Sequence, residues 1–83
     1  MDQVDKEVMN VLRDVLGQSA TSSLAPSSPL LGAVAELDSM AVVAILAGLE
    51  DRFNFGVADD DVDGRTFATV ASLVGFVRAK LDA

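Results

Sequence analysis

The 83-residue sequence contains no cysteine, no histidine, no tryptophan and no tyrosine. Without cysteine there is no disulfide, no thiolate metal site and no thiol nucleophile. Without histidine there is no side chain that ordinarily titrates near neutral pH to act as a general base. Positive charge is scarce too: 6 basic residues stand against 13 acidic ones, a net charge of −7. Such a chain is repelled by phosphate backbones and anionic membrane surfaces, which argues against nucleic acid as a partner, and it attracts surfaces with basic patches. Long apolar runs are also missing. The longest, Met40 to Leu49, falls far short of the roughly 18 residues that span a bilayer, and the charged start MDQVDKEVMN has no basic segment leading into an apolar one, as a secretion signal would. These absences lead us to expect a cytoplasmic, non-catalytic protein with no membrane insertion.

What is present points to helices. Hydrophobic residues make up 51% of the chain and aromatics 5%, a balance that favours helices packed through Leu, Val, Ile and Ala over an aromatic-rich sheet. One domain over 1–83 is the expectation, near the lower size limit for a self-sufficient core. Val4, Val8, Val11, Leu12, Val15 and Leu16 recur in steps of three and four and predict a helix over about 2–16, with Asp2 and Asp5 at its positive end and Gly17 as its C-terminal cap. Residues 17–37 hold Pro26 and Pro29 and keep no period, so they read as a long loop pinned by Leu24, Leu30, Leu31 and Leu37.

Asp38 is a good N-cap for a second helix over about 38–54, with Val42, Ile45, Leu46, Leu49 and Phe53 as its inward stripe. A short helix is expected over about 59–64. A last helix over about 69–81 has Thr66 or Thr69 as its cap and Val70, Leu73, Val74, Val77 and Leu81 inside. The fold class is therefore all-α, an antiparallel four-helix bundle with three main helices, one short third helix and a long first loop.

The second helix has an unusual outer face. With its core stripe turned inward, the residues left outside are Met40, Val43, Ala44, Ala47, Gly48 and Asp51, with Ser39 at the top. A surface helix normally carries charge there. Either the long loop covers this strip, or the strip is a docking surface rimmed by Asp38, Glu50 and Asp51. Ser39 also has two readings, a capping residue or a serine modified by another enzyme. It is no autonomous nucleophile, because no histidine is available to activate it. A phosphate ester at this position would sit where helix N–H groups and the helix dipole favour an anion.

The stretch LDSMAVVAILAGLEDRF, Leu37 to Phe53, resembles the second helix of an acyl carrier protein. The likeness extends to the first helix, the long loop, Phe53, Phe55 and Val57, the acidic turn, and ATVASLVGFV as last helix. It implies that Ser39 carries 4′-phosphopantetheine, transferred from coenzyme A by a phosphopantetheinyl transferase with Mg²⁺. The terminal thiol of that arm would hold acyl groups as thioesters, so the protein borrows the thiol it lacks.

By the same resemblance Asp38 is the motif acid read by the transferase. Met40, Val43, Ala44, Ala47, Glu50 and Asp51 form the surface for acyl-loading and acyl-consuming enzymes with basic patches. Ala41, Ala44 and Arg52 stand where many stand-alone carriers have acids, which leans towards a specialised carrier of acyl groups in fatty-acid, polyketide-like or other acyl metabolism. Met1 favours a stand-alone protein, expected to be a monomer. The alternatives are a carrier of aminoacyl groups in a nonribosomal peptide-type pathway and an unmodified acidic adaptor. The run DDDVDG, Asp59 to Gly64, matches half of an EF-hand loop, but the position that should supply a bidentate Glu is Val70. No dedicated metal site is expected, only weak divalent cation binding at Asp59, Asp60, Asp61 and Asp63.

Overall fold

The computed structural model describes residues 3–82, without the side chain of Asp59; Asp2, expected at the start of the first helix, lies outside them. The described residues form helix α1 (Gln3–Leu16), a four-residue helix α2 (Gln18–Thr21), helix α3 (Ser39–Phe53), a single 3₁₀ turn (Asp59–Asp61) and helix α4 (Val70–Asp82). The fold is an all-α four-helix arrangement in which α2, α3 and α4 each pack against α1.

Helix α1 follows its periodicity. Val8, Val11, Leu12 and Leu16 are buried, and the helix stops at Gly17, whose φ of +94° is a conformation L side chains rarely adopt. Directly after it, α2 is an element the lack of period in residues 17–37 concealed. Its Thr21 is buried, and the hydroxyl donates to the Gly17 carbonyl at 2.9 Å.

The rest of the long connection is clamped to the start of α4. The first-turn N–H groups of Val70 and Ala71, which have no partner within their own helix, donate to the carbonyls of Ser28 and Pro26 at 3.1 and 2.8 Å. Leu30 and Leu31 in turn donate to the carbonyls of Ala68 and Phe67. Leu30 and Leu37 are buried in the core as anchors, whereas Leu31 is 50% exposed and corrects the expectation that it pins the loop. At the head of α4, the Thr69 hydroxyl accepts from the Ser72 N–H at 3.0 Å and the Ser72 hydroxyl accepts from the Thr69 N–H at 2.9 Å. This reciprocal cap satisfies two open donors. The inward stripe of α4 ends at Val77; Leu81, expected inside, lies in the last turn of the helix and is 42% exposed.

The phase of α3 differs from the expected one. Ile45 and Leu49 are fully buried and Ala41 nearly so, while Val42, Leu46 and Phe53 are only half-buried against the core. The helix is rotated so that Gly48, expected outside, faces α1: a Cβ on Gly48 would lie 2.9 Å from Val11 Cγ1. Four residues further on, Arg52 reaches across α1 to Glu7 and Asp14 at 2.6 and 2.8 Å. That guanidinium holds the Glu7 carboxyl below its usual pKa, with help from the Asn10 amide. The Glu7–Arg52 contact is therefore kept at a pH where an ordinary glutamate begins to take up its proton, and is lost as pH falls through the lowered value.

Gly48 is thus a close-approach glycine. In Gly48→Ala, overpacking against buried Val11 costs about 1–3 kcal/mol, against about 1 kcal/mol gained in helix propensity. Urea unfolding should show a net loss of about 1 kcal/mol, where a solvent-facing glycine in a helix would show a gain.

Candidate functional site

Ser39 is the first residue of α3, and the chain is brought to it by buried Leu37. Asp38 is the N-cap: its backbone is extended, and its Oδ1 accepts a hydrogen bond from the Ala41 N–H at 2.8 Å. This carboxylate fills one open donor of the first turn and leaves those of Ser39 and Met40 available to an anion. Ser39 itself is exposed, and its hydroxyl makes no hydrogen bond among the described residues. A phosphodiester on Ser39 Oγ would displace no internal contact and would sit at the positive end of the helix dipole. The site fits such a group.

Below Ser39 the outer face of α3 is uncovered. Met40 is 76% and Val43 64% exposed, and Ala44, Ala47 and Asp51 are exposed with them. The long loop does not lie over this strip; its backbone is committed to the head of α4 instead. Glu50 has a different setting. It is half-buried, and its Oε2 accepts the Val57 N–H at 2.8 Å, so this carboxylate ties α3 to the chain that follows it. Sequence spacing alone does not reveal that tie, because Val57 lies beyond the helix end, where Asn54 turns the chain in the left-handed conformation with φ +58°.

Beside the strip runs an open groove of about 370 Å³. One wall is Val43, Ala47 and Glu50 of α3, and the other is Val57, Ala58 and Val62. A second cavity of about 290 Å³ lies on another side of the bundle, between Met9, Leu24, Pro26, Val70 and Val74, near the Arg78–Asp5 ion pair of 3.1 Å.

Among the described side chains of the acidic turn, Asp61 and Asp63 are turned to different partners. Asp61 accepts the Ala58 N–H at 2.9 Å and the Lys80 ammonium at 2.9 Å, and these two partners hold its pKa below the usual range. Asp63 is likewise lowered by the Arg65 N–H and guanidinium. Asp60 is exposed. Among the described residues no group of three or more acidic side chains is placed to hold a metal ion, and no helix is long and apolar enough to cross a membrane.

A family model described as "Phosphopantetheine attachment site" matches residues 6–77, which include the cap, Ser39 and the whole of α3. The solution NMR structure of a holo acyl carrier protein from Nitrosomonas europaea is similar over 100% of both chains, with 44% sequence identity and a TM-score of 0.85. None of the curated proteins matches the chain. The match over most of its length, the full-length structural likeness and a helix start that fits a phosphodiester together place the chain in the acyl carrier protein family, non-catalytic carriers with covalently attached 4′-phosphopantetheine.

Proposed function

We propose that Ser39 is the residue that bears the phosphopantetheine and that the protein carries acyl groups as thioesters on it, as a cytoplasmic monomer that serves enzymes of acyl metabolism. The observation that carries this reading is the exposed, unpartnered Ser39 hydroxyl at the head of α3, beside an uncovered apolar strip. In the transfer, Ser39 Oγ attacks the β-phosphorus of coenzyme A and adenosine bisphosphate leaves, with the hydroxyl proton passing to a base of the transferase. This chain's part in that step is positional. Asp38 holds the first turn of α3 closed through Ala41, and its carboxylate, on the residue before Ser39, is a group to which the transferase's Mg²⁺ would be drawn. Once attached, the arm supplies the thiol that forms thioesters.

Met40, Val43, Ala44 and Ala47 are the surface we assign to partner enzymes, with Asp51 at its lower end and the outward side of Glu50 beside it. Charge on this strip is confined to its ends, so partners would combine an apolar contact with basic groups at its rim. Acyl cargo is favoured over aminoacyl cargo by the groove. Val43 and Ala47 lie one and two turns below Ser39 on the same side of α3, about 12 Å of helix in all, and both line it. An acyl chain returning along α3 would meet apolar walls there.

A charge placed on the strip tests the assignment. Val43→Asp should lower kcat/KM for transfer of phosphopantetheine from coenzyme A about tenfold, with stability to urea changed by less than about 0.5 kcal/mol. Unfolding of this variant, or unchanged transfer kinetics, would remove Val43 from the docking surface.

A further inference from the structure

The wall of the groove that faces α3 is held in an unusual way. From Phe55 to Val62 none of the described side chains is buried; Phe55, Val57 and Val62 are half-buried and the others exposed. Packing alone leaves such a segment at the low-stability end of the molecule. Its position is set by polar contacts from both sides. Glu50 of α3 accepts the Val57 N–H at 2.8 Å, and Asp61 accepts the Ala58 N–H at 2.9 Å. Asp61 is itself held by Lys80 near the end of α4, Nζ to Oδ2 at 2.9 Å, with the Lys80 side chain only 25% exposed. Two consecutive N–H groups of the wall are thus fixed by carboxylates, one belonging to α3 and the other tied to α4.

We propose that Lys80 is a positioning residue for the groove: through Asp61 it holds the 57–62 wall against α3 and so sets how readily an acyl chain enters between that wall and Val43 and Ala47. The inference rests on the reading of the protein as an acyl carrier whose cargo uses this groove. Lys80 lies on α4, outside the strip assigned to partners, so its replacement leaves recognition of Ser39 by a transferase intact. With Lys80 gone, Asp61 loses its tie to α4, the wall opens more often, and an acyl chain in the groove is less shielded.

The test compares native protein with Lys80→Ala and Lys80→Arg by two readouts. On the unmodified protein, amide exchange at Ala58 and Val57 should be about 2–5-fold faster in Lys80→Ala, the scale of a lost surface ion pair. Exchange at buried Ile45 should be unchanged, and Lys80→Arg should restore the native rates. On the phosphopantetheinylated protein loaded with an octanoyl group, cleavage of the thioester by hydroxylamine should rise by a similar factor in Lys80→Ala and return in Lys80→Arg. Equal exchange at Ala58 in native and Lys80→Ala proteins would overturn the proposal. Faster exchange with unchanged thioester cleavage would overturn the link between wall and cargo. Failure of the native protein to accept phosphopantetheine would instead strike the carrier reading, and the exchange comparison would then decide on the Lys80 tie by itself.

Discussion

Ser39→Ala is expected to accept no phosphopantetheine and so to lose all carrier activity, while unfolding at the same urea concentration as the native protein. The effect on function is total because the oxygen that forms the phosphodiester is removed and the other serine and threonine hydroxyls lie outside the Asp38–Ser39 motif. The effect on stability is small because the cap of α3 is made by Asp38, whose Oδ1 accepts the Ala41 N–H, and Ser39 is exposed with no described partner for its hydroxyl. Asp38→Ala, in contrast, should cost about 1 kcal/mol of stability through loss of the cap, and should slow the transfer without removing the accepting oxygen. Urea titrations of the two variants, with intact-protein mass after incubation with coenzyme A and a transferase, separate the residues' roles. A Ser39→Ala protein that still gains the group would place the attachment elsewhere.

The second large effect concerns which side of α3 faces the core. Leu49→Ala should destabilise the protein by about 2–5 kcal/mol, the cost of a cavity at a fully buried leucine. For a domain of this size that is a substantial part of the total stability. Val43→Ala removes an apolar side chain from the same helix, yet it should change stability by no more than about 0.5 kcal/mol because Val43 is 64% exposed. Urea midpoints with unchanged m-values decide the matter. Comparable losses in the two variants would mean that the strip assigned to partners is packed inside.

The same helix marks the limit of what the amino-acid sequence discloses. The stripe Val8, Val11, Leu12 and Leu16 was legible because α1 alternates apolar and polar residues at helical spacing, and its buried side is the expected one. The cap of α3 was legible from residue type, since Asp38 accepts from Ala41; for α4 the sequence offered Thr66 or Thr69, and the reciprocal bonds with Ser72 select Thr69. In α3 the run from Met40 to Leu49 is apolar on all sides, so periodicity identifies the helix but leaves its rotation open. The rotation is decided in three dimensions by Gly48 against Val11 and by Arg52 between Glu7 and Asp14. Helix α2 escaped notice because four residues, QSAT, are too few to show a period. Phe67, buried beside the head of α4, lies in a turn with no pattern of its own.

For the candidate site, the Asp38–Ser39 motif stands out in the sequence, but whether the strip below it is covered does not; its exposure is seen only in the fold. The engagement of Glu50 with Val57 and of Asp61 with Lys80 was not legible either, because each joins groups from different elements. The acidic run around residues 59–63 looks in sequence like a cation site. In the fold, Asp61 and Asp63 are turned to separate internal donors.

The most direct test of the central claim is the intact mass of the native protein before and after incubation with coenzyme A, Mg²⁺ and a broad-specificity phosphopantetheinyl transferase, followed by fragmentation to locate the added group. The expected result is a gain of one phosphopantetheine, carried by Ser39. A protein whose mass stays that of the bare sequence, or one that carries the group on another residue, would contradict it.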